Sequence, residues 1–290
     1  GYRVVELSSY QLEITPSLNP DISAILNLSP DHLDRHGSMA NYAAAKAEAV
    51  RNVKPDGLII LGNGSNLLPL LPARYESQLH LISKDDTPDG IHQNFALSGS
   101  HNAENAAVAA TICRYVGIKE EHIKMAILSF KGLPHRLELV ASCDIAGNQL
   151  RIINDSKATN DAAAARALSS FQQIFWCAGG LAKETSLPNC IKELRQVKHA
   201  YLYGNSKTQF QSELSGLIPT TLAKNLEDAT SKAFAAAKKF TLQDGVDSFV
   251  LLSPAAASFD TFANFEERGR QFTDLAKKLC QQQPHHMEVL

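Results

Sequence analysis

Apolar and polar positions alternate along the chain in a way that predicts successive strands and helices. Short runs rich in Ile, Leu and Val, bounded by polar or glycine-containing turns, predict buried strands. Longer stretches with apolar residues three and four positions apart predict helices that pack on those strands. The expected strands are 2–7, 22–28, 57–62, 137–143, 149–153, 173–178, 199–203, 219–223 and 247–252. The expected helices are 39–53, 102–116, 160–170, 187–196, 207–214, 226–240 and 262–281.

This order of elements predicts an α/β fold, in which helices cover both faces of largely parallel sheets. Gly132 and Pro134 interrupt the pattern, so we expect two domains, 1–132 and 133–290. The second opens with two β-like runs joined by "DIAGN", a plausible hairpin turn. Because sheets of this kind bind ligands at the carboxyl ends of their strands, residues that directly follow strands are the first candidates for a site.

Composition narrows the function further. Of 290 residues, 44% are hydrophobic and 20% charged, which is ordinary for a folded globular protein. A net charge of −2 offers no broad basic surface, so small ligands are favoured over nucleic acid. The five cysteines are odd in number and lack a C-x-x-C pair, which argues against a disulfide framework and a zinc cage and favours the cytoplasm. No apolar run approaches the roughly 18 residues of a membrane span, so we expect no membrane partner.

The polar stretch "SPDHLDRHG" follows the expected strand 22–28, where an α/β sheet places its function. His32 and His36 are four residues apart and could present metal ligands on one helix face. An Asp-His-x-Asp turn more often caps the next helix, however, so this motif alone leaves both interpretations open.

A lysine interrupts the apolar stripe of the next expected helix. Met39, Tyr42, Val50 and Val53 follow the spacing of a core-facing stripe, and Lys46 occupies the position between Tyr42 and Val50. The lysine could extend its amine past small alanines into water. Alternatively, it is partly desolvated, in which case its amine is easier to deprotonate and available for chemistry.

Glu6 adds a third candidate, because it lies at the end of the first expected strand. Nucleotide-binding sheets often hold a magnesium ion with a carboxylate at such a position. Glu6, His32 and Lys46 together therefore form a candidate site for a hard metal ion.

Seven segments resemble, in this order, the Mur ligases of bacterial peptidoglycan synthesis, and within that family the enzymes that add D-glutamate. They are "ELSSYQLE" (6–13), "NLSPDHLDRHG" (27–37), "YAAAK" (42–46), "SGSHNAENAAVAA" (98–110), "GLPHRLE" (132–138), "INDSKATN" (153–160) and "LLSPAAASFDTFANFEERGRQF" (251–272). The resemblance spans nearly the whole chain. It implies that 1–132 is the C-terminal half of a P-loop-type central ATPase domain, and that 133–290 is a Rossmann-like domain that binds the amino acid and closes on ATP.

The resemblance implies metal and catalytic roles for particular residues. Glu6 and His32 match ligands of two Mg²⁺ ions, and Lys46 matches a lysine that takes up CO₂ as a bridging carbamate. His32, Lys46 and Lys157 match catalytic positions. The carbamate agrees with the pattern of the residues, because only a neutral amine can take up CO₂.

ATP contacts are implied on both sides of the expected boundary. Asn102 and Asn105 match adenine contacts, although residues of this type also cap helices. Arg136, Asp155 and Lys157 match residues that hold the phosphates and ribose, although "NDS" by itself would be only a turn. The neighbouring His135 receives no role.

The resemblance places D-glutamate in the second domain, where Thr159, Lys183, Ser258, Phe259 and Phe265 match its contacts. Without the family, Lys183 would be an unremarkable loop lysine and the two phenylalanines core residues, most of all Phe259. Ser258 is expected near a helix start, where free N–H groups favour an anion. Phe259 departs from the leucine expected there, which leaves backbone contacts possible.

The implied reaction uses ATP to join D-glutamate to UDP-N-acetylmuramoyl-L-alanine through an acyl phosphate, in a cytoplasmic enzyme expected to be a monomer. Two alternatives are a folylpolyglutamate synthase-like ligase and a nucleotide-binding module without catalysis. The D-N-P-R signature of the diaminopimelate-adding Mur ligase is absent.

The chain also lacks any G-x-x-x-x-G-K-[ST] segment, and "LGNGSN" (61–66) has no lysine. In the family the phosphate loop precedes "ELSSYQL". We therefore expect these 290 residues to be a portion of a ligase and to be inactive alone.

Overall fold

The computed structural model describes residues 1–30, 32–97, 99–182, 186–282 and 287–288. Its strands are β1 Ile22–Asn27, β2 Leu58–Gly64, β3 Leu79–Leu81, β4 Glu138–Ile145, β5 Asn148–Asn154, β6 Ile174–Gly179, β7 Val197–Tyr203, β8 Thr220–Leu222, β9 Ser248–Leu252 and β10 Met287–Glu288. Its helices are α1 Ser9–Glu13, α2 Leu33–His36, α3 Met39–Ala47, α4 Ser100–Tyr115, α5 Glu120–Ser129, α6 Asp161–Leu168, α7 Pro188–Lys192, α8 Lys207–Leu214, α9 Leu226–Asp244 and α10 Phe265–Gln281.

The chain forms two compact units, and the first comprises residues 1–94 and 100–129. Its sheet has the order β1-β2-β3 with all strands parallel. Ile59 and Leu61 of β2 face a core that includes residues of α3, whereas Ile60 faces a second core that includes Ala107 of α4. Successive residues of β2 therefore face opposite sides of the sheet, and helices cover both sides.

The second unit comprises residues 95–99 and 130–290. Its sheet has the order β10-β4-β5-β9-β6-β7-β8, which is parallel from β5 to β8 and antiparallel at β4 and β10. Leu168 of α6 and Phe210 of α8 fill the core on one face, and Phe234 of α9 and Phe272 of α10 fill the other. The expected doubly wound α/β fold is thus confirmed.

Local signals explain several of the boundaries. Asn225 and Asn264 cap α9 and α10, because their side chains accept the N–H groups of Asp228 and Glu267. The hairpin between β4 and β5 turns through Ala146 and Gly147, both with positive φ, as a two-residue turn of this hand requires. No described helix combines the length and the apolarity needed to cross a bilayer.

The expected strand 2–7 is wrong. Residues 1–8 have no regular structure, and Val4 exposes 98% of its surface. A strand needs a partner for its ladder of hydrogen bonds, and in the described sheet β1 pairs with β2 alone. Glu6 therefore lies in an irregular segment that leads into α1.

Some elements are shorter than expected and others were not anticipated. The helix expected over 39–53 ends at Ala47 and continues as a 3₁₀ turn over Glu48–Val50, and α10 begins at Phe265 instead of residue 262. The short elements α1, α2 and β3 and the helix α5 were missed. Three to five residues are too few to establish a period, which explains the three short ones.

A disulfide joins Cys143 of β4 to Cys280 of α10, so the expectation that the cysteines form no bridge is wrong for this pair. The two residues are separated by 137 positions, and their Cα atoms lie 5.8 Å apart because α10 packs against β4. Both are buried. Cysteine spacing in the sequence carries no information about a contact of this range.

Replacing Cys280 by alanine should lower the free energy of unfolding of the second unit by about 2–5 kcal/mol, because the bridge restricts the unfolded chain. Urea unfolding with and without a thiol reductant measures the effect. Cys113→Ala, at a free cysteine of the first unit, is the control. If the midpoint for the second unit is the same in both conditions, the disulfide does not form.

Candidate functional site

A cleft of about 340 Å³ in the first unit brings together the three residues selected from the sequence, Glu6, His32 and Lys46. Glu6 and His32 are exposed, whereas Lys46 is half-buried with its Nζ 5.9 Å from the ring centre of Tyr42. The remaining wall is formed by Leu7, Ser8, Ser9, Gln11 and Tyr42. The site is therefore built from the approach to α1, the start of α2 and one face of α3.

Residues that cap the helices position the walls of the cleft. Ser8 and Gln11 form a capping box at the start of α1, in which the Gln11 amide donates to Ser8 Oγ at 3.3 Å and the Ser8 amide donates to Gln11 Oε1 at 2.8 Å. Ser38 caps α3 by accepting the Asn41 amide. His32 directly precedes α2 and has a left-handed conformation, at φ 53°, which turns the chain at the cleft.

Of the two interpretations left open for His32 and His36, the structure does not support a shared metal-binding helix face. His36 is buried with Nε2 3.0 Å from Ser9 Oγ, while His32 lies exposed at the cleft. The ring of Tyr10 lies against both, with centroid distances of 5.1 Å to His32 and 5.6 Å to His36. Asp31, the first aspartate of the motif, lies outside the described residues.

The donors of the cleft fit a divalent cation under one condition. Glu6 supplies carboxylate oxygens and His32 an imidazole nitrogen, but a lysine ammonium would repel the ion. Uptake of CO₂ by Lys46 would replace that cation with carbamate oxygens. Within the described part of the chain, no group of three or more His, Cys, Asp and Glu side chains could hold a metal ion, so the lysine decides whether this donor set suffices.

The adenine candidates lie on another element of the first unit. Asn102 and Asn105 are both half-buried in α4, three residues apart and therefore on neighbouring positions of one helix face. Because α4 begins at Ser100, Asn102 lies within the first turn and is not the residue that precedes the helix.

In the second unit, the loops that follow three neighbouring strands are tied together at their carboxyl ends. The Asp155 amide, directly after β5, donates to Leu252 O at 2.8 Å, and the Gly179 amide, at the end of β6, donates to Pro254 O at 2.9 Å. A further bridge pairs Leu181 with Ala257. This is the edge at which the topology of the sheet predicts a ligand site.

The three candidate phosphate and ribose residues meet at this edge. The backbone amide of Lys157 donates to His135 O at 3.1 Å, and the amide of Leu137 donates to Asp155 Oδ1 at 3.2 Å. The segment that carries Arg136 is thereby fixed beside the end of β5. Arg136 and Lys157 remain exposed, and Asp155 is buried.

Burial raises the pKa of the Asp155 carboxyl to about 7. The hydrogen bonds from Ser253 Oγ and from the Leu137 amide, together with the nearby charges of Arg136 and Arg166, favour the ionised form but do not offset the loss of hydration. Near neutral pH this carboxyl therefore exchanges between a protonated and an ionised form.

The Asp155 shift predicts a pH dependence of stability. The folded-state pKa of about 7 lies above the ordinary value of 3.8, so the contribution is complete below pH 4 and is lost as the pH rises to 7. At 1.36 kcal/mol per unit, the difference between a pKa of 3.8 and one of about 7 corresponds to a loss on the order of 4 kcal/mol. Asp155→Asn should remove this slope in denaturant unfolding between pH 4 and 8, and Asp274→Asn, at an exposed position of α10, should retain it. An unchanged slope in Asp155→Asn would assign it to other groups.

The candidate D-glutamate contacts differ in their surroundings. Ser258 is buried in a turn, where its carbonyl accepts the amides of Thr261 and Phe262. It was expected near a helix start, and α10 begins seven residues later, at Phe265, with Asn264 as its cap. Thr159 is half-buried in the loop that follows β5. Lys183 lies outside the described residues.

The two phenylalanines of this set differ in how exposed they are to solvent. Phe259 exposes 67% of its surface, so the interpretation of that residue as core packing is wrong. Its neighbours in the loop after β9 already fill the core, which leaves its ring in solvent. Phe265 is half-buried, with its ring centre 6.3 Å from that of His135 and 5.8 Å from Lys157 Nζ.

Sequence reasoning missed Arg268, which is fully buried in α10. Its guanidinium donates to Ser156 Oγ at 3.0 Å, Ser156 O at 2.8 Å and Ala256 O at 3.0 Å, and so joins the loops after β5 and β9. The signal was available, because Arg268 lies four residues before Phe272 and continues the buried stripe of its helix, as Lys46 does in α3.

His135 also has a defined place. Its ring packs on the backbone of α10 at Gly269, where a Cβ atom would lie 2.2 Å from His135 Nδ1. The side-chain amide of Asn154 is 3.0 Å from the same nitrogen. Only glycine fits at this position of the helix, and the sequence alone gave no reason for it.

Known proteins share sequence with this chain over nearly its whole length. Residues 1–89 match the Mur ligase middle domain. Over 291 aligned residues, the chain is 40% identical to the UDP-N-acetylmuramoylalanine--D-glutamate ligase of Novosphingobium aromaticivorans, a match that covers 97% of the chain and 62% of that protein. The chain is similar to Mur ligases over nearly its whole length. It is also 37% identical to the ligase of the same name from Phenylobacterium zucineum, covering 96% of the chain and 63% of that protein.

Solved structures show the same fold at low identity. The UDP-N-acetylmuramate-alanine ligase MurC of Thermotoga maritima matches with a TM-score of 0.60 at 15% identity, covering 92% of this chain and 62% of that one. The MurF ligase of the same organism, solved with ADP, gives 0.61 at 14%, covering 92% and 65%. A T. maritima folylpolyglutamate synthase gives 0.55 at 13%, covering 90% and 62%. The chain thus spans less than two thirds of the Mur ligases and of the synthase that it matches.

Proposed function

We propose that this chain is part of an ATP-dependent ligase that adds D-glutamate to UDP-N-acetylmuramoyl-L-alanine, a cytoplasmic step of peptidoglycan synthesis carried out by a monomer. The observation that carries the proposal is the 40% identity, across 97% of the chain, to a protein that bears that name. The folylpolyglutamate synthase alternative has far less support, because its likeness is 13% identity and concerns the fold alone.

The proposed reaction has two displacements. A carboxylate oxygen of UDP-N-acetylmuramoyl-L-alanine attacks the γ-phosphorus of ATP, and the bond to ADP breaks to leave an acyl phosphate. The D-glutamate amine then attacks the acyl carbon, phosphate leaves, and the amine loses a proton. Negative charge develops on oxygens in both steps, so positively charged groups placed at those oxygens lower the barrier.

In the proposal, different residues contact different parts of ATP and of D-glutamate. Arg136 and Lys157 are exposed cations fixed beside the end of β5, which suits them to contact phosphate oxygens. Asp155 would contact the ribose, and Asn102 and Asn105 of the first unit would contact adenine. D-glutamate would be contacted by Ser258, Thr159, Phe259, Phe265 and Lys183.

The cleft of the first unit would hold the magnesium ions of ATP. Glu6 and His32 would bind them directly, and Lys46 would contribute as a carbamate. When bound, the ions would neutralise charge on the phosphate oxygens. Support for this assignment comes from the shared cleft and from the half-buried position of Lys46.

Isotope transfer tests the reaction. The substrate carboxylate is labelled with ¹⁸O, and the released phosphate is examined by mass spectrometry in a fusion of this chain with the part of the N. aromaticivorans ligase that the match does not cover. An acyl phosphate predicts one ¹⁸O atom in each phosphate released. Phosphate without label would exclude the proposed intermediate.

Amino-acid recognition by the second unit gives a separate prediction. Ser258→Ala in the same fusion should raise the KM for D-glutamate about tenfold to a hundredfold, because a charge-assisted hydrogen bond is worth about 1.5–3 kcal/mol. The KM for ATP should change less than about twofold. Ser215→Ala, at an exposed serine of the same unit, should change neither constant. Equal increases for both substrates would contradict the role of Ser258.

A further inference from the structure

A buried histidine beside the cleft has a polar side chain near each ring nitrogen. The His36 side chain is 2% exposed, with Nε2 3.0 Å from Ser9 Oγ and Nδ1 3.4 Å from Glu13 Oε1. Its ring packs between those of Tyr10 and Tyr42, at centroid distances of 5.6 Å and 5.3 Å. His36 therefore connects three of the elements that form the cleft, namely α1, α2 and α3.

These contacts favour one direction for the hydrogen bond between Ser9 and His36. A carboxylate only accepts, so Glu13 favours the tautomer of His36 that carries its proton on Nδ1. Nε2 is then an acceptor, and the Ser9 hydroxyl donates to it. Having committed its only proton, Ser9 Oγ can act toward the cleft only as an acceptor.

The rest of the arrangement supports this order. Arg35 donates to Glu13 Oε2 at 3.1 Å and so helps to hold the carboxylate in place. Ser9 lines the cleft together with Glu6, His32 and Lys46. It exposes only 2% of its surface.

Ser, His and Glu in this sequence of contacts also form the nucleophile of some hydrolases. That role requires space for a tetrahedral carbon beside the serine oxygen. The near-complete burial of Ser9 leaves no such space.

We propose that Glu13, His36 and Ser9 form a positioning relay, in which Ser9 Oγ accepts a hydrogen bond from a water molecule bound to a divalent cation in the cleft. The inference rests on the proposed metal site of Glu6 and His32. It adds a second layer of contacts that orients the hydration shell of the ion. Loss of such an outer contact commonly changes metal affinity about tenfold to a hundredfold.

Binding of Mn²⁺ to the 290-residue chain, followed by electron paramagnetic resonance in bicarbonate buffer, tests the relay. Ser9→Ala and His36→Gln should each weaken binding about tenfold or more. Glu13→Gln, which keeps an acceptor for Nδ1–H, should bind more tightly than Glu13→Ala. His122→Gln, at an exposed histidine of the same unit, is the matched control and should bind as the wild type does.

Affinities are compared at a temperature at which each variant is folded by circular dichroism. A purely structural role for Ser9 would lower its melting temperature and leave the Mn²⁺ affinity of the folded protein unchanged, which would overturn the relay. If His36→Gln does not fold, Ser9→Ala decides, because it removes a single oxygen atom.

Glu6→Gln separates failure of the relay from failure of the metal site. If Glu6→Gln weakens Mn²⁺ binding but Ser9→Ala and His36→Gln do not, the relay is wrong and the metal site stands. If Glu6→Gln also binds normally, the metal assignment is wrong and the relay with it. The ligase reaction itself is judged independently by the ¹⁸O experiment.

Discussion

Replacing Lys46 by alanine should abolish ligation in the fusion with the N. aromaticivorans segment. The lysine is half-buried on the wall of the cleft that holds Glu6 and His32, and as a carbamate it would supply oxygens that those two residues alone do not. Removing one preorganised group that stabilises developing charge commonly costs about a hundredfold to a thousandfold in rate. We expect a loss of at least that size in kcat, measured by phosphate release.

A small carboxylic acid should restore part of the lost activity. Acetate can occupy the space vacated by the side chain and present the same two oxygens as a carbamate. Lys124→Ala, at an exposed lysine of the same unit, should neither lose activity nor respond to acetate. Near-normal turnover by Lys46→Ala without added acid would show that the carbamate has no role.

Replacing Arg268 by alanine should destabilise the second unit by about 3–5 kcal/mol. The guanidinium is fully buried and donates to three oxygens of Ser156 and Ala256. Each buried acceptor that loses its donor costs about 1–3 kcal/mol, and the substitution also leaves a cavity. Total effects above about 4–5 kcal/mol are rare for single substitutions, which bounds the estimate.

Arg270 offers a matched control, because it lies two residues further along α10 and is exposed. Arg270→Ala should change the free energy of unfolding by less than about 0.5 kcal/mol in the same urea titration. Similar effects for the two arginines would mean that the hydrogen bonds of Arg268 contribute little to holding the loops after β5 and β9.

Most of the strands could be predicted because their signal is local. Runs such as "FVLL" in β9 and "IFWCAG" in β6 are buried on both faces, and a continuous apolar run identifies such a strand without knowledge of its neighbours. The segment 2–7 carries a similar apolar composition but finds no partner among the described strands. Composition therefore predicted the tendency to form a strand, and pairing decided the outcome.

The site residues also include some that the sequence could predict and others that it could not. Lys46 was found because it interrupts a periodic stripe, and Arg268 carries the same signal in α10. The capping box of Ser8 and Gln11, an S-x-x-Q pattern, could likewise have predicted α1. The burial of His36 against Ser9 could not have been predicted, because it depends on how α1 and α2 pack against each other. The spacing of residues within either helix does not reveal it.

Contacts between distant segments were outside the reach of the sequence. The Cys143–Cys280 bridge and the packing of His135 on Gly269 each join residues more than a hundred positions apart. The exposure of Phe259 is of the same kind, because it depends on which side chains occupy the core around the loop after β9.

The most direct test of the central claim is identification of the product. The fusion protein is incubated with ATP, Mg²⁺, UDP-N-acetylmuramoyl-L-alanine and either D-glutamate or L-glutamate, and the mixture is analysed by mass spectrometry. We predict that each turnover gives one ADP and one product in which the alanyl carboxyl group is joined by an amide bond to the nitrogen of D-glutamate, and that L-glutamate gives no comparable product. ATP consumption without that product, or addition of glutamate to a folate substrate instead, would contradict it.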